Sequence, residues 1–172
     1  KSMATISPNL ESNQRRWQTI VSLTLGFWLS ACIILDLVIM PSMYVSGMMN
    51  TPDFTVAGSV MFSVFNRVEL LCSTLGLTGL LVLSATPNHF VKNNKTAIIF
   101  SIVLLVIVLI DTYGLTPQMT ALGINLDLFE SVKEVPVAMN QMHGGYWLLE
   151  IIKLVIGATL FGWCYRQPTK MD

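Results

Sequence analysis

Eight polar or ionisable side chains interrupt otherwise apolar stretches of this chain: Asp36, Asn66, Arg67, Glu69, Asp111, His143, Glu150 and Lys153. A charge inside an apolar run is costly and marks a proton path, an ion site or a structural pair. Carboxyls can exchange protons or hold cations, and a neighbouring Lys or Arg can neutralise one of them. Arg67 is a candidate partner for Asp36 or Glu69. Lys153 follows Glu150 by three residues, the spacing of neighbours on one helix face. The eight residues are expected to form a buried polar cluster. It either holds the elements together through ion pairs or binds a proton, a metal or a pigment.

Methionine adds a second signal. Of ten Met, eight (Met40, Met43, Met48, Met49, Met61, Met119, Met139 and Met142) fall near one end of the apolar runs. Met40-x-x-Met43 and Met139-x-x-Met142-His143 resemble soft-ligand spacings, and thioether with imidazole suits Cu(I). Copper is therefore the metal expected for a site of Met40, Met43, Met139, Met142 and His143. The competing reading is that these Met are flexible packing residues. His143 is the one histidine at the depth of the acids, because His89 falls in a polar connection. A haem held by two His is not expected, while a single axial bond from His143 to haem or chlorophyll stays open. Cys32, Cys72 and Cys164 stand singly in apolar stretches and read as small buried residues. No Gly-rich phosphate loop, nucleophile elbow or HExxH motif is present. The acids and His143 lack the paired Glu-x-x-His of di-iron bundles. No enzymatic activity is expected.

The elements that must carry these groups follow from composition. Of 172 residues, 53% are apolar and 12% charged, against about 25% charged in soluble domains. Apolar runs at about 17–43, 60–85, 96–113 and 142–165 reach or approach the ~20 residues that cross a bilayer. Barrel-type alternation is absent, so the spans are helices, whose backbone groups pair within each segment. The predicted fold is an all-α integral membrane four-helix bundle: one domain over 17–166 between tails at 1–16 and 167–172. The first run is too long for a signal-peptide core and lacks a small-residue cleavage site.

Lys1, Arg15, Arg16, Lys92, Lys95, Arg166 and Lys170 cluster in the two tails and the 86–95 connection. The positive-inside rule makes both termini cytoplasmic. Trp17, Trp163 and Tyr165 then fall at the inner interface, and Tyr146 and Trp147 near the outer one. Within the outer 114–138 connection, Leu128, Phe129, Val132 and Val135 share a helical face, which predicts a short amphipathic helix at 125–135. All four acids come from the outer half, with Asp111 ending the third span. Polar stripes run along Glu69, Ser73 and Gly76, and along His143, Tyr146, Glu150, Lys153 and Gly157. Asp36 aligns with Met40 and Met43, above a small-residue pair of Gly26 and Ser30. The third span, almost all Ile, Val and Leu before Asp111, is expected to be the most exposed to lipid.

The stretch Phe27-Trp-Leu-Ser, then Leu35-Asp-Leu-Val-Ile-Met-Pro41, followed by Met61-Phe-Ser-Val-Phe-Asn-Arg-Val-Glu69, resembles the membrane domain-of-unknown-function 4149 family. That family is similar in layout to copper-resistance D membrane proteins. Met142-His143 also resembles it, and Tyr113-Gly-Leu-Thr-Pro117 and Asn140-Gln-Met-His143 look like its cyanobacterial branch. The resemblance spans roughly residues 20–166. It implies a four-helix membrane bundle, no established activity, and a thylakoid or plasma membrane.

Three functions follow as expectations. The first is an auxiliary subunit or assembly factor of a larger photosynthetic or respiratory membrane complex, with other membrane subunits and lipids as partners. The second is an ion- or metal-handling protein using the outer polar and Met cluster. The third is a haem- or chlorophyll-binding protein using His143. A net charge of zero suggests no nucleic-acid partner.

Overall fold

The computed structural model describes residues 8–47, 52–85, 94–121 and 137–165, and all the regular structure among them is helical. Four helices are long and apolar enough to cross a membrane: Ser12–Met43, Val56–Ser84, Lys95–Ala121 and Gly144–Tyr165. The first consists of α1 (Pro8–Ile34), a π turn (Leu35–Ile39) and α2 (Met40–Val45). The second is α3 (Pro52–Ser84). The third joins α4 (Asn94–Ile110), a second π turn (Asp111–Leu115) and α5 (116–121). The fourth is α6 (Val137–Tyr165).

The helices form a closed ring in which α3 packs on α1 and α4, and α6 packs on α1 and α4. The pairs α1 with α4 and α3 with α6 therefore face each other across the diagonals. Close approach rests on small residues. A Cβ on Gly79 would collide with the Val21 side chain, and one on Gly157 would come within 3.0 Å of Leu29 Cδ2. Gly26 meets Phe161 in the same way, but Ser30 is exposed and its hydroxyl donates to the Gly26 carbonyl of its own helix. The expected Gly26–Ser30 pair is thus half an interface.

The two π turns share one cause. Pro41 and Pro117 each lie in the helical turn that follows. A proline ring inside a helix clashes with the carbonyl four residues earlier and supplies no N–H. Those carbonyls belong to Leu37 and Tyr113, the middle residues of the two π turns. Widening the turn relieves the clash, and the helix continues: Met40 N–H donates to Leu35 O, and Thr116 N–H to Asp111 O. Gly47, at φ +71°, then ends the first helix in the left-handed conformation that favours glycine.

These turns correct the sequence reading of the third span. Asp111 does not end it, because the helix runs on to Ala121 and Asp111 is fully buried. Ala97, Ser101, Leu104, Val108 and Asp111 turn one continuous face of this span inward, and it is buried to the same extent as the first and fourth spans and less than the second. The first helix begins at Pro8 and the fourth at Val137, earlier than the apolar runs alone indicate. The predicted amphipathic helix at 125–135 lies outside the described residues.

Packing differs along the axis. Toward the end that carries residues 8 and 165, Val21, Leu25, Leu80, Leu83, Leu104 and Leu160 fill the interior, each 3% exposed or less. Toward the other end the interior turns polar.

Candidate functional site

Where the core turns polar, Lys153 of α6 stands near the centre, 2% exposed. It reaches across the diagonal to α3 and donates to both oxygens of Glu69, at 3.1 and 2.9 Å. Its Nζ also lies 2.7 Å from Glu150 Oε2, one turn along its own helix, and 3.1 Å from Asp111 Oδ2. Both of these contacts are ion pairs set off the hydrogen-bond axis, because the carboxyl oxygens of Glu150 and Asp111 accept no well-directed hydrogen bond. The Tyr146 ring lies 5.7 Å from the ammonium.

Glu69 is the best-satisfied acid. Besides Lys153, Trp28 Nε1–H donates to its Oε1 at 2.9 Å and the Cys32 thiol to the same oxygen at 3.3 Å. Trp28, Cys32 and Asp36 repeat every four residues on the inward face of the first helix. Asp36 is buried at 4% exposure, and its Oδ2 has no hydrogen-bond partner. One layer further along the axis, Asn66 Nδ2 donates to Thr116 Oγ1 at 2.7 Å, and Phe62 meets the Tyr146 ring edge-on.

The structure thus joins Asp36, Glu69, Asp111, Glu150 and Lys153, with Asn66 beside them. Arg67 is not among them. Its side chain is exposed, and the place expected for it beside Glu69 belongs to Lys153. Residues two apart on a helix point away from each other, so a buried Glu69 turns Arg67 outward. Tyr146, read as an outer-interface aromatic, is buried at 7% exposure, while Trp147 faces out.

Met40, Met43 and Met142 are half-buried, and the side chains of Met139 and His143 lie outside those described. Among the described His, Cys, Asp and Glu residues, Cys32, Glu69 and Glu150 bring ligand atoms within 4.8 Å of one another. The Lys153 ammonium already fills the cation position beside these carboxylates. Sequence reasoning missed Trp28 and Thr116 as site residues, placed Tyr146 on the polar stripe of the fourth span as well as at the outer interface, and took Cys32 for packing alone. The four-residue spacing of Trp28, Cys32 and Asp36 was the available signal. Cys72 and Cys164 are buried, as expected of small packing residues.

The charge balance is the chemical content of the site. Asp36, Glu69, Asp111 and Glu150 are each 4% exposed or less, and Lys153 is the one buried cation among the described residues. Fully ionised, four carboxylates against one ammonium leave three negative charges uncompensated. Burying an ion costs several kcal/mol even after relaxation, so the cluster requires protons or cations. Orphan atoms give the same result. Among the described residues, the buried side-chain oxygens and nitrogens without a hydrogen-bond partner all belong to Asp36, Asn66, Asp111, Tyr146 and Glu150. Such groups are rare in folded proteins, and here every one lies in a single polar region.

No family model, curated protein or solved structure matches the chain.

Proposed function

We propose that this chain is an ion-handling membrane protein whose buried carboxylate cluster takes up and releases a cation, the proton included. The observation that carries the reading is four buried carboxyls against one buried ammonium, three of them, Glu69, Asp111 and Glu150, paired with it. Intramembrane acids in such numbers are characteristic of proton relays and ion paths. The donors are hard oxygens with a single thiol, a set that favours protons and hard cations over Cu(I). The auxiliary-subunit reading asks nothing of these four acids, and the haem or chlorophyll reading rests on His143 alone. Polar layers continue toward one end of the bundle and an apolar plug closes the other, which supports exchange from one side.

The test is proton and cation exchange by purified protein in lightly buffered detergent. Wild type is compared with the triple variant Asp36→Asn, Asp111→Asn, Glu150→Gln. Wild type is expected to take up at least one more proton per chain on a downward pH step, or to exchange protons for added Na⁺ or Zn²⁺. Identical curves for the two folded proteins, with no cation bound by either, would refute the reading.

A further inference from the structure

Resting on that reading, we infer that the exchanged ion is a divalent cation of the zinc class, bound by Cys32, Glu69 and Glu150, and that Lys153 is a tethered competitor for the same site. These three residues are buried and bring ligand atoms within 4.8 Å of one another. The Cys32 sulfur lies 3.3 Å from Glu69 Oε1. Tetrahedral zinc, with Zn–S about 2.3 Å and Zn–O about 2.0 Å, sets sulfur and oxygen ligands ~3.5 Å apart. Two of the three donors thus stand close to the separation that a metal requires.

Two carboxylates and a thiol are not a site by themselves, but the oxygens around them point to a ligand. Both Glu150 oxygens are buried and accept no hydrogen bond, although Oε2 lies 2.7 Å from the Lys153 ammonium. Both Asp111 oxygens are buried and accept none either, and Oδ2 lies 3.1 Å from the same ammonium. Glu69 Oε2 completes the convergence at 2.9 Å. Lys153 Nζ therefore marks a point where carboxylates of three helices meet around a cation. The cation in place is also too small a charge, since among the described residues four buried carboxyls face one buried ammonium. A doubly charged ion supplies more of what the cluster lacks.

The exchange step balances. The Cys32 S–H bond breaks, its proton passes to water and a metal–sulfur bond forms. Glu69 and Glu150 each trade an ammonium contact for a metal–oxygen bond. Lys153 shifts toward Asp111, whose two oxygens then receive the donor they lack. The cluster gains two positive charges from the metal and loses one with the proton. Three protein ligands leave the fourth tetrahedral position to water. Trp28 Nε1–H holds Glu69 through Oε1 at 2.9 Å, the kind of outer contact that orients a ligating carboxylate. The thiol selects the ion. Mg²⁺ and Ca²⁺ take oxygen ligands, Cu(I) prefers soft donors, and zinc accepts Cys sulfur together with carboxylate oxygen.

Titration of the purified protein in detergent with Co²⁺ tests the inference, because sulfur-bound Co²⁺ gives a near-ultraviolet charge-transfer band. Wild type is expected to bind one Co²⁺ per chain with that band and to lose it when Zn²⁺ is added. The band should vanish in Cys32→Ser and persist in Cys72→Ser and Cys164→Ser. In Glu150→Gln, half-saturation should need at least about tenfold more Co²⁺. Lys153→Met removes the competitor and should bind Co²⁺ at least about tenfold more tightly; if it does not fold alone, it should fold with Zn²⁺ present. A band that survives Cys32→Ser, or a Lys153→Met protein that gains neither affinity nor fold from the metal, overturns the inference. If wild type takes up neither Co²⁺ nor Zn²⁺ but exchanges protons or Na⁺, this site is wrong and the ion-handling reading survives. If nothing exchanges, both fall.

Discussion

Lys153→Met is the sharpest probe of the cluster as a structural unit. Lys153 is 2% exposed and lies within 3.1 Å of oxygens on Glu69, Asp111 and Glu150. The flexible apolar side chain of Met replaces most of the lost volume, so the effect is mainly electrostatic. Removing one partner of a buried pair costs about 3–5 kcal/mol, because the other charge is left uncompensated. Glu69 keeps its bonds from Trp28 and Cys32, which places the expected loss toward the lower end of that range. At about 1.4 kcal/mol per factor of ten, the unfolding constant rises on the order of a hundredfold to a thousandfold.

Adding Glu69→Gln to Lys153→Met removes the stranded charge that the first substitution exposed. The double variant should therefore be more stable than the sum of the two single losses by about 2–3 kcal/mol, the upper range for residues in direct contact. Equilibrium unfolding in bicelles, read by steric trapping, measures all four corners of the cycle in one lipid environment. A Lys153→Met protein within about 1 kcal/mol of wild type, or losses that add, would refute the claim that this ammonium neutralises the buried acids.

Three further perturbations bear on the architecture. Gly79→Ala drives a methyl group into Val21 and should cost about 1–3 kcal/mol, whereas Gly145→Ala, with nothing within 4 Å of the new Cβ, should be neutral or stabilising by up to about 1 kcal/mol; thermal unfolding in one detergent compares them. Arg67→Gln should change stability by no more than about 0.5 kcal/mol, as for exposed positions generally, and a loss comparable to that of Lys153→Met would return Arg67 to the cluster. Deleting Tyr113, 71% exposed in the second π turn, should cost about 3 kcal/mol by pressing Pro117 against a regular helical turn. Adding Pro117→Ala should restore most of that loss, as read by the same unfolding assay.

Much of the bundle was legible in the sequence because hydrocarbon thickness dictates a minimum apolar length. Helix ends were not, because a helix can extend past the hydrocarbon at either side, as Pro8 and Val137 do. Within the site, the Glu150–Lys153 contact was readable from its spacing of three, and the inward stripe of Tyr146, Glu150, Lys153 and Gly157 is buried throughout. The Glu69–Lys153 pair was not readable, since 84 residues separate its members and no local period says which helices face each other across a diagonal. Arg67 competed with Lys153 for Glu69 on sequence proximity, although a spacing of two already turned it away. Asp111 was misplaced because the apolar run stops near Tyr113, whereas the structure widens the turn before Pro117 and carries the helix on to Ala121.

That widening connects the backbone to the chemistry. A π turn adds one residue without rotating the flanking segments off their faces, so the inward face of the third helix passes from Asp111 to Thr116, five residues on instead of four. Thr116, 5% exposed, then meets Asn66 in the layer beyond Glu69; in an unbroken α-helix of the same sequence, Leu115 would stand nearer that face. The first helix uses the same device, with Asp36 inside the turn that Pro41 widens. Asp36 and Asp111, two of the three acids with oxygens that accept no hydrogen bond, therefore sit in proline-widened turns, while Glu69, which accepts from Trp28, Cys32 and Lys153, sits in an unbroken helix. π turns inside helices occur often at functional sites. Here they carry two of the four buried acids, Asp36 and Asp111, while Glu69 and Glu150 stand on unbroken helices.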